Sequence, residues 1–133
     1  MKGGVFLSAK GYIQVHAFES YAQIPLKDVA VSITDASGGA IALRLTNRNG
    51  TLDVPVDVQV PDLVESQSPN TGTIPFSVVN LYAKLENYEA IEIENLQVFA
   101  NTTTVQDLEM IPLSELPSKW NKLEVYNTPP QNL

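Results

Sequence analysis

Tyr82-Ala83-Lys84-Leu85-Glu86-Asn87-Tyr88, running on through Ile91, Ile93, Leu96, Val98 and Phe99 to Met110-Ile111-Pro112-Leu113, reads as consecutive half-buried strands hinged at an Asn-Tyr corner. Apolar side chains recur at spacing two on both sides of the corner, which is the period of a strand and not of a helix. Asn87 suits the hinge because its short polar side chain tolerates left-handed backbone better than most residues.

The same grammar extends upstream. Tyr12, Ile13, Val15 and Ala17 set a strand over Gly11 to Phe18, and Val29, Val31 and Ile33 set a second after Ile24-Pro25-Leu26. Gly38-Gly39 offers a turn at low steric cost, and Ile41, Leu43 and Leu45 follow. Asn47-Arg48-Asn49-Gly50 is a strong turn signal, with Leu52, Val54 and Val56 at spacing two beyond it. Prolines at 55, 61, 69 and 75 predict a long irregular excursion over 55–76, either a binding loop or a sheet-to-sheet crossing. Phe76 to Leu85, Glu89 to Glu94 and Thr102 to Leu113 complete the β content. About seven short strands at roughly ten-residue spacing predict an all-β, antiparallel β-sandwich, with an eight-stranded barrel as the structural rival. The domain boundaries follow: an N-terminal arm over 1–10, the sandwich over 11–113 and a C-terminal tail over 114–133.

Composition narrows the function classes. A chain of 133 residues, 44% hydrophobic and 17% charged, suffices for one domain with a single core. A net charge of -7 with only eight Lys and Arg argues against nucleic acid and acidic membranes. Cysteine is absent, which removes disulfides, thiolate metal sites and thiol nucleophiles. Met1 to Lys10 lacks the apolar centre of a signal peptide, and no run approaches the ~20 apolar residues of a membrane span, so the expectation is a chain cytoplasmic at synthesis with no membrane insertion.

Four pieces carry a family resemblance: Gly11-Tyr12-Ile13-Gln14-Val15; Ile24 to Ile33; the Thr46 to Gly50 turn; and Tyr82 to Tyr88 followed by Leu96 to Phe99 and Met110 to Leu113. In this order they resemble the prealbumin-like, or carboxypeptidase regulatory-like, domains, and more narrowly the variant found in clostridial spore cortex-lytic and peptidoglycan-binding proteins. The chain departs from that pattern in placing Asn87 where a glycine usually precedes the corner tyrosine. The resemblance implies a prealbumin-like sandwich, with a place in spore or cell-envelope assembly of a Gram-positive bacterium.

Candidate chemistry is sparse. His16 is the only histidine, on the strand parity opposite to Ile13, Val15 and Ala17, and reads as a surface imidazole. With Arg44 and Arg48 the only arginines, the multi-His, multi-Arg cleft of the hydroxyisourate hydrolases is excluded. Glu92 and Glu94 share one strand face and come close to the separation of a glycosidase pair, but charges at spacing two are also what a solvated strand face requires. Calcium has no EF-hand pattern to bind. Lys10 or Lys27 with an Asn such as Asn101 and one of the Glu residues offer the parts of an isopeptide crosslink, but the first strand lacks an inward lysine; Asn101-Thr102-Thr103 matches a glycosylation sequon but reads as a turn. No nucleophile, base and orienting group can be named together.

The resulting expectation is a non-enzymatic structural or protein-interaction module with no catalytic, cofactor or metal residues, the alternative being a carbohydrate or peptidoglycan-binding accessory domain. A protein partner or self-association is expected, with a cell-wall glycan as the other partner class. Candidate contact residues are Val5, Phe6 and Leu7, ahead of the first strand, and Trp120, Leu123 and Tyr126 in the proline-bounded tail.

Overall fold

The computed structural model describes residues 8–61, 76–115 and 123–127. Eight strands form among them: β1 (Ser8–Glu19), β2 (Ala30–Asp35), β3 (Ala40–Leu45), β4 (Val56–Pro61), β5 (Phe76–Lys84), β6 (Ala90–Phe99), β7 (Thr103–Met110) and β8 (Leu123–Asn127). They build the expected all-β sandwich, with β4-β1-β7 in one sheet and β3-β2-β5-β6-β8 in the other. Pairing is antiparallel except for β1 with β7 and β6 with β8.

Alternation puts one face of each sheet into a common core. Ile13, Val15 and Ala17 of β1, Val31 and Ile33 of β2, Val56, Val58 and Val60 of β4, Leu81 and Ala83 of β5, and Leu108 and Met110 of β7 are all buried. Removing these side chains from water is the main favourable term, because each fully buried Val, Leu or Ile contributes about 1.5–3 kcal/mol.

The corner behaves as its sequence predicts. Asn87 has φ 73°, and the Tyr88 hydroxyl donates to Glu19 Oε2 at 2.9 Å, tying the β5–β6 corner to the end of β1. That bond, with some desolvation, raises the Tyr88 pKa above its ordinary value. The backbone closes the same junction, Glu89 N–H donating to Ile111 O and Leu113 N–H to Asn87 O, both at 2.9 Å.

β1 starts at Ser8, inside the predicted arm, where Ser8 to Lys10 pair with β4, and three further parts of the strand reading differ. The alternation at Leu52, Val54 and Val56 predicts a strand, but β4 starts only at Val56, and Val54 is 70% exposed. The cause is Gln14, whose side chain accepts from Leu52 N–H at 2.7 Å and donates to Leu52 O at 3.0 Å. This clamp satisfies the Leu52 backbone outside any ladder, and Pro55 lacks the N–H that a strand there would need. Consequently part of the predicted 55–76 excursion is strand β4, while 62–75 lies outside the described residues. β6 also runs past Glu94 to Phe99, because Asn95 takes φ 62° and donates its N–H to Asn80 Oδ1 across a register shift. That bulge moves burial from Ile91 and Ile93 to Leu96 and Val98. Finally, β8 falls in the predicted tail, pairing Leu123 with Ala90 and Tyr126 with Ile93.

Candidate ligand-binding cleft

The five-stranded sheet is wider than its partner, and the step between the layers leaves a cleft of about 540 Å³ beside β4. Ile41, Val58, Val78 and Val79 give it an apolar lining, with Asp35, Ser37, Asp57, Gln59 and Ser77 as its polar groups. Volume and lining suit a small organic ligand, since such sites are mostly apolar with few placed polar groups.

Asp35, Ser37, Asp57 and Ser77 are each held by a side-chain hydrogen bond. Asp35 Oδ1 accepts from Ser37 N–H at 2.9 Å, Ser37 Oγ–H at 2.8 Å and Gly39 N–H at 2.8 Å, an arrangement that shapes the β2–β3 turn. The Ser37 hydroxyl and then the Gly39 N–H hold the Asp35 carboxyl below its ordinary pKa, so it is ionised at neutral pH. Asp57 Oδ2 pairs with Lys10 Nζ at 3.2 Å on an exposed surface, where such a pair fixes position more than it stabilises. Ser77 Oγ donates to Gln59 O at 2.7 Å, joining β5 to β4.

The cleft residues lie far apart in the chain, on β2, β3, β4 and β5 and on the β2–β3 turn. Strand alternation gives Val58 and Val79 the look of ordinary core residues, and Asp35 that of an ordinary turn acid. Sequence reasoning therefore missed the site; its nearest signal was the suspicion that a binding loop begins near residue 55.

The residues singled out from the sequence do not converge. His16 is half-exposed, with Nδ1 3.6 Å from Asp107 Oδ1 of the adjacent strand and its ring 5.1 Å from that of Phe18. Lys10 is an exposed partner of Asp57 and not a buried crosslinking lysine, although its carbonyl accepts from Asn101 N–H at 2.8 Å. Leu123 and Tyr126 lie on β8, while Val5, Phe6, Leu7 and Trp120 lie outside the described residues. Among the described residues no three His, Asp or Glu side chains are grouped to hold a metal ion, and no helix is long and apolar enough to cross a membrane.

Glu92 and Glu94 lie two residues apart on β6, both half-buried. The hydrogen bond to Glu94, then desolvation and like charge, raises the Glu92 pKa. A carboxyl whose folded pKa is raised binds more protons in the native state than in the unfolded one, so it opposes stability as pH climbs from its ordinary value through the folded one. Glu92→Gln should therefore match the wild type in acid and melt slightly higher at neutral pH. Thermal melts by circular dichroism at both pH values measure this, and an equal difference at both would contradict it.

No protein-family model and no curated protein matches the chain. Solved structures do. A 3-chlorocatechol 1,2-dioxygenase from Rhodococcus opacus superposes with a TM-score of 0.50 at 12% identity, covering 84% of this chain and 62% of its own. An intradiol ring-cleavage dioxygenase from Tetranychus urticae gives 0.50 at 11%, covering 90% and 87%. A catechol 1,2-dioxygenase from an Acinetobacter species, inhibited by bound mercury, gives 0.55 at 11%, covering 96% and 60%. The fold is one that intradiol ring-cleavage dioxygenases share. The chain spans about three-fifths of the length of the Rhodococcus and Acinetobacter proteins.

These neighbours correct three expectations. The relatives in fold are intradiol dioxygenases and not prealbumin-like or carboxypeptidase regulatory-like domains. The pieces behind the earlier resemblance are strand alternation, X-Pro turns and an Asn-Gly turn, which many two-layer sandwiches need alike, so they do not discriminate between families. The reading as a non-enzymatic structural or interaction module of the spore or envelope is also overturned, since the neighbours in fold are enzymes. It rested on the lack of a nucleophile, base and orienting group, a test suited to acyl or glycosyl transfer and not to oxygen chemistry. The glycan-binding alternative, which relied on loop residues and the acidic strand face, is not favoured by these neighbours either.

Proposed function

We propose that this protein binds a small hydroxylated aromatic compound of the catechol type in the cleft between β4 and the β2–β3 turn. The observation that carries the reading is the cleft itself, about 540 Å³ with an Ile and Val lining and carboxylates at Asp35 and Asp57. The apolar lining suits an aromatic ring. The carboxylates, one of them kept ionised by its turn, are strong acceptors for phenolic O–H donors and repel anionic ligands. The dioxygenases of like fold, named for catechol and chlorocatechol, support the same ligand class.

Triplet oxygen reacts slowly with closed-shell molecules, so dioxygenation requires a metal or another one-electron partner. Metal centres for such chemistry draw on imidazole together with carboxylate, and this chain holds one histidine and no cysteine. Among the described residues no three His, Asp or Glu side chains are grouped, so they do not fit such a centre.

Titration of 15N-labelled protein with catechol tests the reading. Amide shifts should move at Ile41, Val58 and Val78, saturating with a dissociation constant on the order of 0.1–1 mM, as expected for so few heavy atoms. 1,2-Dimethoxybenzene, which keeps the ring but donates no hydrogen bond, should bind more weakly, and Asp57→Asn should narrow the gap between them. Millimolar catechol that leaves those three amides unmoved would sink the proposal.

A further inference from the structure

β3 is an edge strand whose sequence, Ala40-Ile41-Ala42-Leu43-Arg44-Leu45, is apolar except for one residue. Its neighbour on one side is β2, and no described strand lies on the other. Thr46 N–H donates to Val29 O and Thr46 O accepts from Asp28 N–H, so the Thr46 backbone faces the β2 side. In an antiparallel ladder this alternates along the strand. The backbones of Ala42 and Arg44 thus face β2, and those of Leu43 and Leu45 turn outward. Their side chains are open as well, 67% and 61% exposed.

Such an edge invites another strand. Among the described strands, β4 carries Asp57 and ends in Pro61, β7 carries Asp107 and Glu109, and β8 carries Glu124. On a chain of net charge -7, two copies meeting along those edges bring acids together. β3 is the edge strand with no acid.

Arg44 alters this in two ways. Its Nη1 donates to Leu43 O at 3.0 Å, occupying one of the outward acceptors. In addition, consider a second copy pairing antiparallel about a two-fold axis, with Leu43 opposite Leu45 and Leu45 opposite Leu43 so that all four outward backbone groups are satisfied. That register sets Arg44 opposite Arg44 of the other copy in a non-hydrogen-bonded pair, where side chains stand closest and like charges oppose pairing.

We propose that Arg44 is a guard residue that keeps β3 from joining to β3 of a second copy. The guard is independent of any ligand in the cleft.

Sedimentation velocity over a concentration series tests it, with wild type, Arg44→Thr, Arg44→Gln and the double variant Arg44→Thr/Leu43→Pro, each checked for folding by circular dichroism. The neutral variants should self-associate roughly tenfold more tightly than wild type or more. The double variant should return to wild-type behaviour, because proline at 43 removes an outward N–H without touching the β2 ladder. Folded neutral variants that sediment as the wild type does would overturn the proposal. So would a wild type that associates as tightly as they do, or association that persists in the double variant.

Discussion

Gly50→Ala should lower stability by about 3 kcal/mol, a fall in Tm of roughly 10 °C for a chain of this size. Gly50 closes the Asn47 turn with φ 77°, a region where a Cβ costs about 1–2 kcal/mol. A Cβ built there would also clash with the Ala17 carbonyl oxygen. That oxygen belongs to the backbone of a fully buried β1 residue, so it cannot swing aside as a side chain would. Relief requires moving the turn away from β1, which stretches the 2.8 Å bond from Ala17 N–H to Gly50 O. Gly38 separates the two contributions: its φ is 93°, yet nothing lies within 4 Å of a Cβ built on it. Gly38→Ala should cost only the backbone strain, about 1 kcal/mol. Urea unfolding of both variants gives the comparison, and equal losses would refute the close-approach argument.

Thr46→Val, which preserves shape, should nevertheless cost about 2–3 kcal/mol. The Thr46 hydroxyl accepts from Val29 N–H at 2.9 Å and donates to Leu26 O at 2.7 Å, linking the end of β3 to the segment entering β2. Thr46 is 2% exposed and Val29 fully buried, so water does not readily replace the lost partner. A buried donor left unmade costs about 1–3 kcal/mol, whereas removing only the methyl costs about 1 kcal/mol. Thr46→Ser, which keeps the oxygen, should therefore be the milder change. A valine variant as stable as wild type, measured in the same urea series, would remove the hydroxyl from any bridging role.

These two positions show unequal legibility. The turn at Gly50 is evident in Asn47-Arg48-Asn49-Gly50, because left-handed geometry is a local property of Asn and Gly. That Gly50 must also lack a side chain for β1 to pass is not local, since Ala17 lies far back in the chain. Thr46 reads as an ordinary polar position at the end of a strand, and only the approach of residues 26–29 makes it a buried bridge. The same division holds at β4, where alternation through Leu52 and Val54 predicts a strand that the Gln14 clamp prevents.

The candidate site follows the same rule. Asp35, Ile41, Asp57, Val58 and Val78 share no motif, because a cleft made by the step between two sheets draws on strand edges distant in sequence. Function inferred from missing motifs failed for a related reason. A triad search tests for one kind of chemistry, and the sandwich is shared with enzymes of another.

The sequence alone determined the all-β sandwich, the Asn-Tyr corner with Asn87 in left-handed geometry, and the exclusion of thiol and multi-histidine chemistry. Those are properties of single residues and of period-two alternation, which the chain carries wherever it folds. Only the tertiary structure decided which strands pair, that β1 lies parallel to β7, where the narrower sheet leaves a cleft, and that Arg44 covers its own strand's open edge. The pairing and the cleft depend on residues far apart in the chain being brought together, and the bond from Arg44 to its neighbour Leu43 acquires its meaning only once β3 lies at the sheet's edge; burial of apolar faces in the core sets both without leaving a local mark.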